Sequence, residues 1–277
     1  MKGNNPSIGS FGGKSSIAGA PCAYPAPAVL HNPSDILKDN ECRPFYIPGT
    51  PSNLIAFIRH ICQYNAMKWD DLLHLIGNEP VFSSAVLLAG PVRPADIRQQ
   101  LSRWVKAGRL IQLRRVLYVV AEPYRKANPH PFLLSNRLKD ASYVSLQSAL
   151  AHHGLIPEAV PVVTAVTTGR PETVRTAFGS FLFRHIQPRF FRGYRQIELN
   201  QNQTAFVAQP EKALLDLIHL TPEADDPAYL GELRLQHLDR LDWTVLEAMA
   251  QESGKAKLQR AVRRLMALRD RERNEAP

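Results

Sequence analysis

Between Pro94 and Val120 the hydrophobic period changes once, from that of a helix to that of a strand, and this limits the folds open to the chain. Ile97, Leu101, Trp104 and Val105 recur at the spacing of one buried helix face. Pro94 suits the first helical position, where a missing N–H forfeits no hydrogen bond, and Ala107-Gly108 offers a left-handed stop. Leu110–Leu113 and Val116–Val120 then read as two strands joined at Arg114-Arg115. Two helices are expected upstream. In the first, Trp69, Leu72, Leu73 and Ile76 share a face that stops at Gly77. In the second, Ser83 is the cap, Phe82, Val86 and Leu87 supply apolar contacts, and Gly90 is the end. Helix, helix, helix and hairpin within residues 67–121 predict a winged helix-turn-helix.

The polar face of the third helix carries Gln99, Ser102, Arg103 and Lys106, with Arg98 on its flank and Arg93 just before it. Long donors without an interspersed carboxylate suit the major groove, where Arg pairs with guanine O6/N7 and Gln with adenine N6/N7. A hairpin tip bearing Arg114 and Arg115 suits phosphates or the minor groove. The segment holds eight Lys/Arg against four Asp/Glu, in a chain of net charge +9, and such an excess favours a polyanionic partner. Each feature taken singly also fits a solvated helix face or a surface hairpin; their order is what points to DNA.

Glycine and proline gather upstream. The first 53 residues hold 6 of the 15 glycines and 8 of the 22 prolines, with no sustained apolar period. Such a segment buries too little to offset its ordering entropy, so residues 1–52 predict a disordered leader. Leu54, Phe57, Ile58 and Ile61, behind Asn53, predict a short helix and linker over 53–66. Translation starting at Met67 is a reading the residues leave open. No run of about 18 apolar residues occurs, which argues against a membrane span. Pro21, Pro25 and Pro27 break the only Ala-rich patch that could serve as a secretion signal, so a cytoplasmic location without membrane partners is expected. Cys22, Cys42 and Cys62 form no CxxC pair or zinc-ligand set, and no metal or cofactor is expected.

Residues 122–277 predict a mixed α/β domain ending in helices, for an α+β chain as a whole. A helix is expected over 142–153, then strands at Val162–Thr168, Phe181–Ile186, Gln196–Leu199 and Thr204–Ala208. Helices follow at Glu211–Leu220, Leu230–Leu238, Trp243–Met249 and 255–270. His152-His153 lacks a carboxylate or cysteine at ligand spacing and reads as a helix end beside Gly154. Arg170, Arg184, Arg189, Arg192 and Arg195, with Arg175, are interleaved with His185, Phe190, Phe191 and Tyr194. They make a candidate second anionic surface where bases could stack, or else a solvated sheet edge with its aromatics inward. Glu211, Lys212 and Asp216 have the residue types of a Mg²⁺-dependent nuclease, but a single helix is an unusual place for them. A dipole partner at Glu211 and a structural hydrogen bond at Asp216 explain them without catalysis, and no catalytic residue is assigned.

Several blocks together resemble one family: LSRWVKAGRLIQLRRVLYVV (101–120), SYVSLQSALAHHGLIPE (142–158), VTAVTTGRP (163–171), FRHI (183–186) and AFVAQPEKALLDLIHL (205–220). They are similar, in that order, to the AbiEi-type antitoxins of abortive-infection (type IV) toxin–antitoxin systems, over roughly residues 67–268. The resemblance implies a winged helix that represses its own operon at promoter inverted repeats. It also implies a carboxy-terminal domain that opposes a nucleotidyltransferase-like toxin, without need of a stable complex. The chain departs from the family pattern at Val116, where glycine is common, and at Arg93, where a short Ser or Thr cap is commoner. Three readings follow: an autoregulating antitoxin, a solitary regulator, and a nuclease using Asp216 or Glu211. A winged helix that binds protein is a further alternative.

Overall fold

The computed structural model describes residues 67–88, 93–158 and 160–275, with side chains described through Arg271. The predicted leader 1–52, the helix at 53–66 and the stop at Gly90 lie outside the described residues. The remainder is a mixed α+β structure.

Helix α1 (Trp69–Ile76) starts where the Lys68 N–H donates to Asp71 Oδ2 at 3.0 Å, and it closes at Gly77, φ +57°. Phe82–Ser83, expected only to lead into the second helix, forms a short strand, β1. The Ser83 side chain still caps α2 (Ser84–Leu87), accepting from the Ala85 N–H at 3.2 Å. Val86, expected to pack, is exposed. Helix α3 (Pro94–Lys106) has Pro94 in its first turn and is followed by Gly108 at φ +69°. Ile97, Leu101 and Trp104 are buried against Leu72, Ile76, Phe82, Leu87, Leu110, Tyr118 and Val120. The Trp69 ring meets Trp104 and Tyr124 edge-on, at 5.3 and 5.2 Å.

Strands β2 (Leu110–Arg114) and β3 (Leu117–Val120) pair antiparallel, and β1 pairs with the far side of β3. The turn is Arg115-Val116, one residue later than expected, and neither residue takes a positive φ. The register shifts between Gln112 and Arg114, leaving Leu113 as an extra residue. A bulge adds twist locally, so it lets the strand reverse without the glycine that is absent here.

Helix α4 (Pro131–Leu138), not expected from sequence, leads into β4 (Ser142–Val144). The helix expected over 142–153 therefore opens as strand: Ser142–Val144 lies inside the sheet, and helix α5 begins only at Leu146 and runs to His152. There follow β5 (Val162–Thr167), β6 (Glu172–Thr176), β7 (Gly179–His185), β8 (Tyr194–Leu199) and β9 (Gln203–Ala208). Strand β6 was also missed, because its alternation of Val174 with polar residues carries little apolar signal. Helices α6 (Pro210–Leu220), α7 (Pro227–Glu232), α8 (Trp243–Glu252) and α9 (Ala256–Glu275) complete the chain.

The six strands run β6-β7-β5-β4-β9-β8. Pairing alternates: β6/β7, β5/β4 and β9/β8 are antiparallel, while β7/β5 and β4/β9 are parallel. One face, with Val144, Val166 and Val207, packs on α5, α6, α8 and α9 through residues such as Leu150, Leu214, Ile218, Leu246 and Leu265. A second core joins Ala165, Phe181 and Phe183 of the sheet and Leu134 of α4 to Val81, Leu117 and Val119. The core thus crosses the boundary expected at residues 121/122, and the β2–β3 hairpin is seated on the larger sheet.

Candidate nucleic-acid interface

Helix α3 separates its residues by face. Successive 100° steps put Arg98, Gln99, Ser102, Arg103 and Lys106 within an arc of about 140°. All five are exposed, and Ile97, Leu101 and Trp104 lie buried on the other side. None of the five side chains has a hydrogen bond or ion pair with another described residue. Their donors are therefore available to an external acceptor. Arg93, the residue before the helix, does not cap it; its Nε donates to Asp96 Oδ2 at 2.8 Å. With its side chain 82% exposed, this pair is of the kind that contributes little to stability and exchanges readily.

The hairpin tip differs from expectation. Arg114 does not project freely: Nη2 pairs with Glu172 Oε2 on β6, and Lys139 Nζ donates to the other carboxylate oxygen at 2.6 Å. Lys139 first, and Arg114 after it, hold the Glu172 carboxyl below its ordinary range. This partner lies 58 residues away in sequence and becomes a neighbour only because the hairpin packs on the sheet. Arg115 is the exposed cation of the tip. Its carbonyl accepts from Gln112 Nε2 at 3.3 Å and from the Tyr118 hydroxyl at 3.2 Å, which fixes the turn beneath it.

The second anionic surface does not assemble as one surface. Strands β6 and β8 are opposite edges of the sheet, roughly 24 Å apart at about 4.8 Å per strand. Arg170 precedes β6, while Arg195 lies on β8. Arg184, on β7, is half-buried and donates to the Leu220 carbonyl at 2.7 Å, closing the end of α6. Arg189 donates to Gln187 at 2.9 Å and lies over the Phe190 ring, and Arg192 pairs with Glu252 at 2.7 Å. The aromatics face inward: Phe190 is buried, and Phe191 and Tyr194 pack on the buried Tyr143 ring at 5.1 and 4.6 Å.

Glu211, Lys212 and Asp216 are all buried. Glu211 Oε1 accepts the Asp242 N–H at 2.8 Å, tying α6 to the start of α8. Asp216 Oδ2 accepts the Tyr143 hydroxyl at 3.0 Å and the Ser145 hydroxyl at 2.8 Å, and its other oxygen pairs with Lys212 Nζ. Burial raises the Asp216 carboxyl above its usual value, against the pull of Lys212 and both hydroxyls. Burial, and then the Asp216 charge, push the Tyr143 phenol far up. Sequence reasoning missed Tyr143 and Ser145 because it placed both on a helix; their β-type backbone at the end of β4 is what turns them toward α6. His153 Nε2 bonds the Ala208 carbonyl at 2.8 Å, and the His152 ring packs edge-on against Phe132 at 5.5 Å, so both act at the helix end.

Among the described residues no group of three or more His, Cys, Asp or Glu is placed to hold a metal ion. No helix among them is long and apolar enough to cross a membrane. Compared with family models and with curated proteins, the chain matches none.

Proposed function

We propose that this protein is a double-stranded DNA-binding transcriptional repressor that reads its operator with α3, as a winged helix-turn-helix. The observation that carries the reading is the exposed face of Arg98, Gln99, Ser102, Arg103 and Lys106 behind a buried Ile97–Leu101–Trp104 stripe. Five donor-bearing side chains without partners among the described residues match the acceptors of base edges and phosphates. The wing contributes through Arg115, while Arg114 serves chiefly to hold the hairpin on β6.

The antitoxin role, with autoregulation at promoter inverted repeats and opposition to a nucleotidyltransferase-like toxin, rests on the resemblance of residues 67–268 to the AbiEi-type antitoxins. A cytoplasmic location accords with that role. Without a toxin, the same surface serves a solitary regulator.

The test is fluorescence anisotropy of the full chain on its own upstream region and on a random duplex of equal length, across a salt series. A specific regulator prefers the promoter by about 10³-fold or more. Equal affinity for both duplexes refutes the repressor, and neutralisation of a toxin from the adjacent reading frame tests the antitoxin role separately.

A further inference from the structure

Against the Lys212–Asp216 pair lies a cavity of about 30 Å³ that opens toward solvent. Lys212, Asp216, Arg192 and His219 supply its polar and charged lining, and Phe190, Leu215 and Leu258 are among its apolar lining. Room for roughly two waters suits two oxygens of an inserted anion better than an organic ring.

Lys212 is the chemically informative group. An ammonium has three N–H donors, and this one, with its side chain 6% exposed, has a single acceptor among the described residues, Asp216 Oδ1. Its Nζ also lies 6.0 Å from the Tyr143 ring centroid, the residue lines the cavity, and no second acceptor stands within hydrogen-bond reach of it among the described residues. The surroundings add positive charge. The His219 imidazole is held below its ordinary pKa by burial first, and then by Lys255, Lys212, Lys257 and Arg189. On the acidic side, Asp216 is engaged by Lys212 and Glu252 by Arg192, the latter pair about half exposed and readily exchanged. Lys257 also feels Asp225 and Glu223, of which Asp225 is paired with Arg260 and Arg264. Cations from the 188–193 loop, α6 and the α8–α9 junction thus outnumber acids around one recess. Gly193, at φ +74°, holds that loop close: a Cβ there would meet Met249 Cε at 2.8 Å and Lys212 Cγ at 3.1 Å.

We propose that this recess between α6, the 188–193 loop and the α8–α9 junction binds a phosphoryl group, with Lys212 and Arg192 in its lining and Lys255 on the junction beside it. The site is separate from the α3 surface and stands whether or not the chain binds DNA. The ligand is either free phosphate or the terminal phosphate of a nucleic-acid strand.

The experiment uses the full chain without DNA and follows the His219 ring resonances by NMR during titration with inorganic phosphate, against chloride at matched ionic strength. Saturable shifts in the millimolar range are expected. Arg192→Gln and Lys255→Gln should each weaken binding by about tenfold, the scale of one charge-assisted contact. Arg170→Gln and Arg175→Gln, which remove the same charge at the β6 end of the sheet, should leave it within about twofold. A 5′-phosphorylated dinucleotide binding more tightly than phosphate assigns the site to a strand end; equal or weaker binding assigns it to free phosphate. Shifts that do not saturate, or equal losses in the recess and control variants, overturn the proposal.

Discussion

Replacing Asp216 with Asn tests the physics of the domain core. Asn keeps the size and one acceptor but removes the charge that faces Lys212, whose side chain is 6% exposed. Breaking one half of a buried pair costs about 3–5 kcal/mol, because the remaining charge is left uncompensated. Lys212→Met should cost less. Burial already raises the Asp216 carboxyl, so once the ammonium is gone that acid can take up a proton and remain hydrogen-bonded to Tyr143 and Ser145. The double variant removes both charges, and its cost should fall below the sum of the singles by at least ~1–2 kcal/mol. Urea unfolding of the three variants measures these values, with an unchanged m-value confirming that the unfolded state is comparable. Against a typical stability of 5–15 kcal/mol, Asp216→Asn should still fold but melt roughly 6–20 °C lower. An Asp216→Asn cost below about 1 kcal/mol would mean that the carboxyl is already neutral in the native state, and additivity within ~0.5 kcal/mol would mean that the two groups do not interact. Either result refutes the pair as a structural unit.

Arg103→Ala should weaken operator binding by about 1–3 kcal/mol and relax the preference at one base pair, read by competition with single-base operator variants. Arg115→Ala should reduce the slope of log affinity against log salt by about one, whereas Arg114→Ala should change it less, because Glu172 already holds Arg114. The histidines give a pH dependence. His130, His152 and His219 are all held below 6.5, in each case by burial first. Their folded pKa values lie below the unfolded one, so the unfolded chain binds more protons in between, and stability is lost as pH falls through 6.5 toward the folded values. Melting temperature should therefore drop from about pH 7 to pH 5, and His152→Gln should flatten the curve.

Local chemistry made much of the fold legible in one dimension. The Ile97–Leu101–Trp104 stripe, Pro94 at its start and Gly108 at its end define α3 because period, φ restriction and left-handed freedom act within a few residues. Ser83, Gly77 and Pro210 likewise marked helix ends that the structure has. The polar face of α3 was readable for the same reason: burying one stripe of a helix exposes the opposite one. Strand and helix were confused at Ser142–Val144, where a short buried strand carries apolar residues in a pattern that also fits a helix. Tertiary structure alone decided where the charges go. Arg175 and Arg195 lie only twenty residues apart but belong to opposite edges, since sheet order depends on which strands pair and not on chain order. Arg114 lost its freedom to Glu172 through a shared core that no local pattern encodes. The Lys212 recess, too, exists only where a helix, a loop and a helix junction meet, so its donors could not be seen from the residues beside it in the chain.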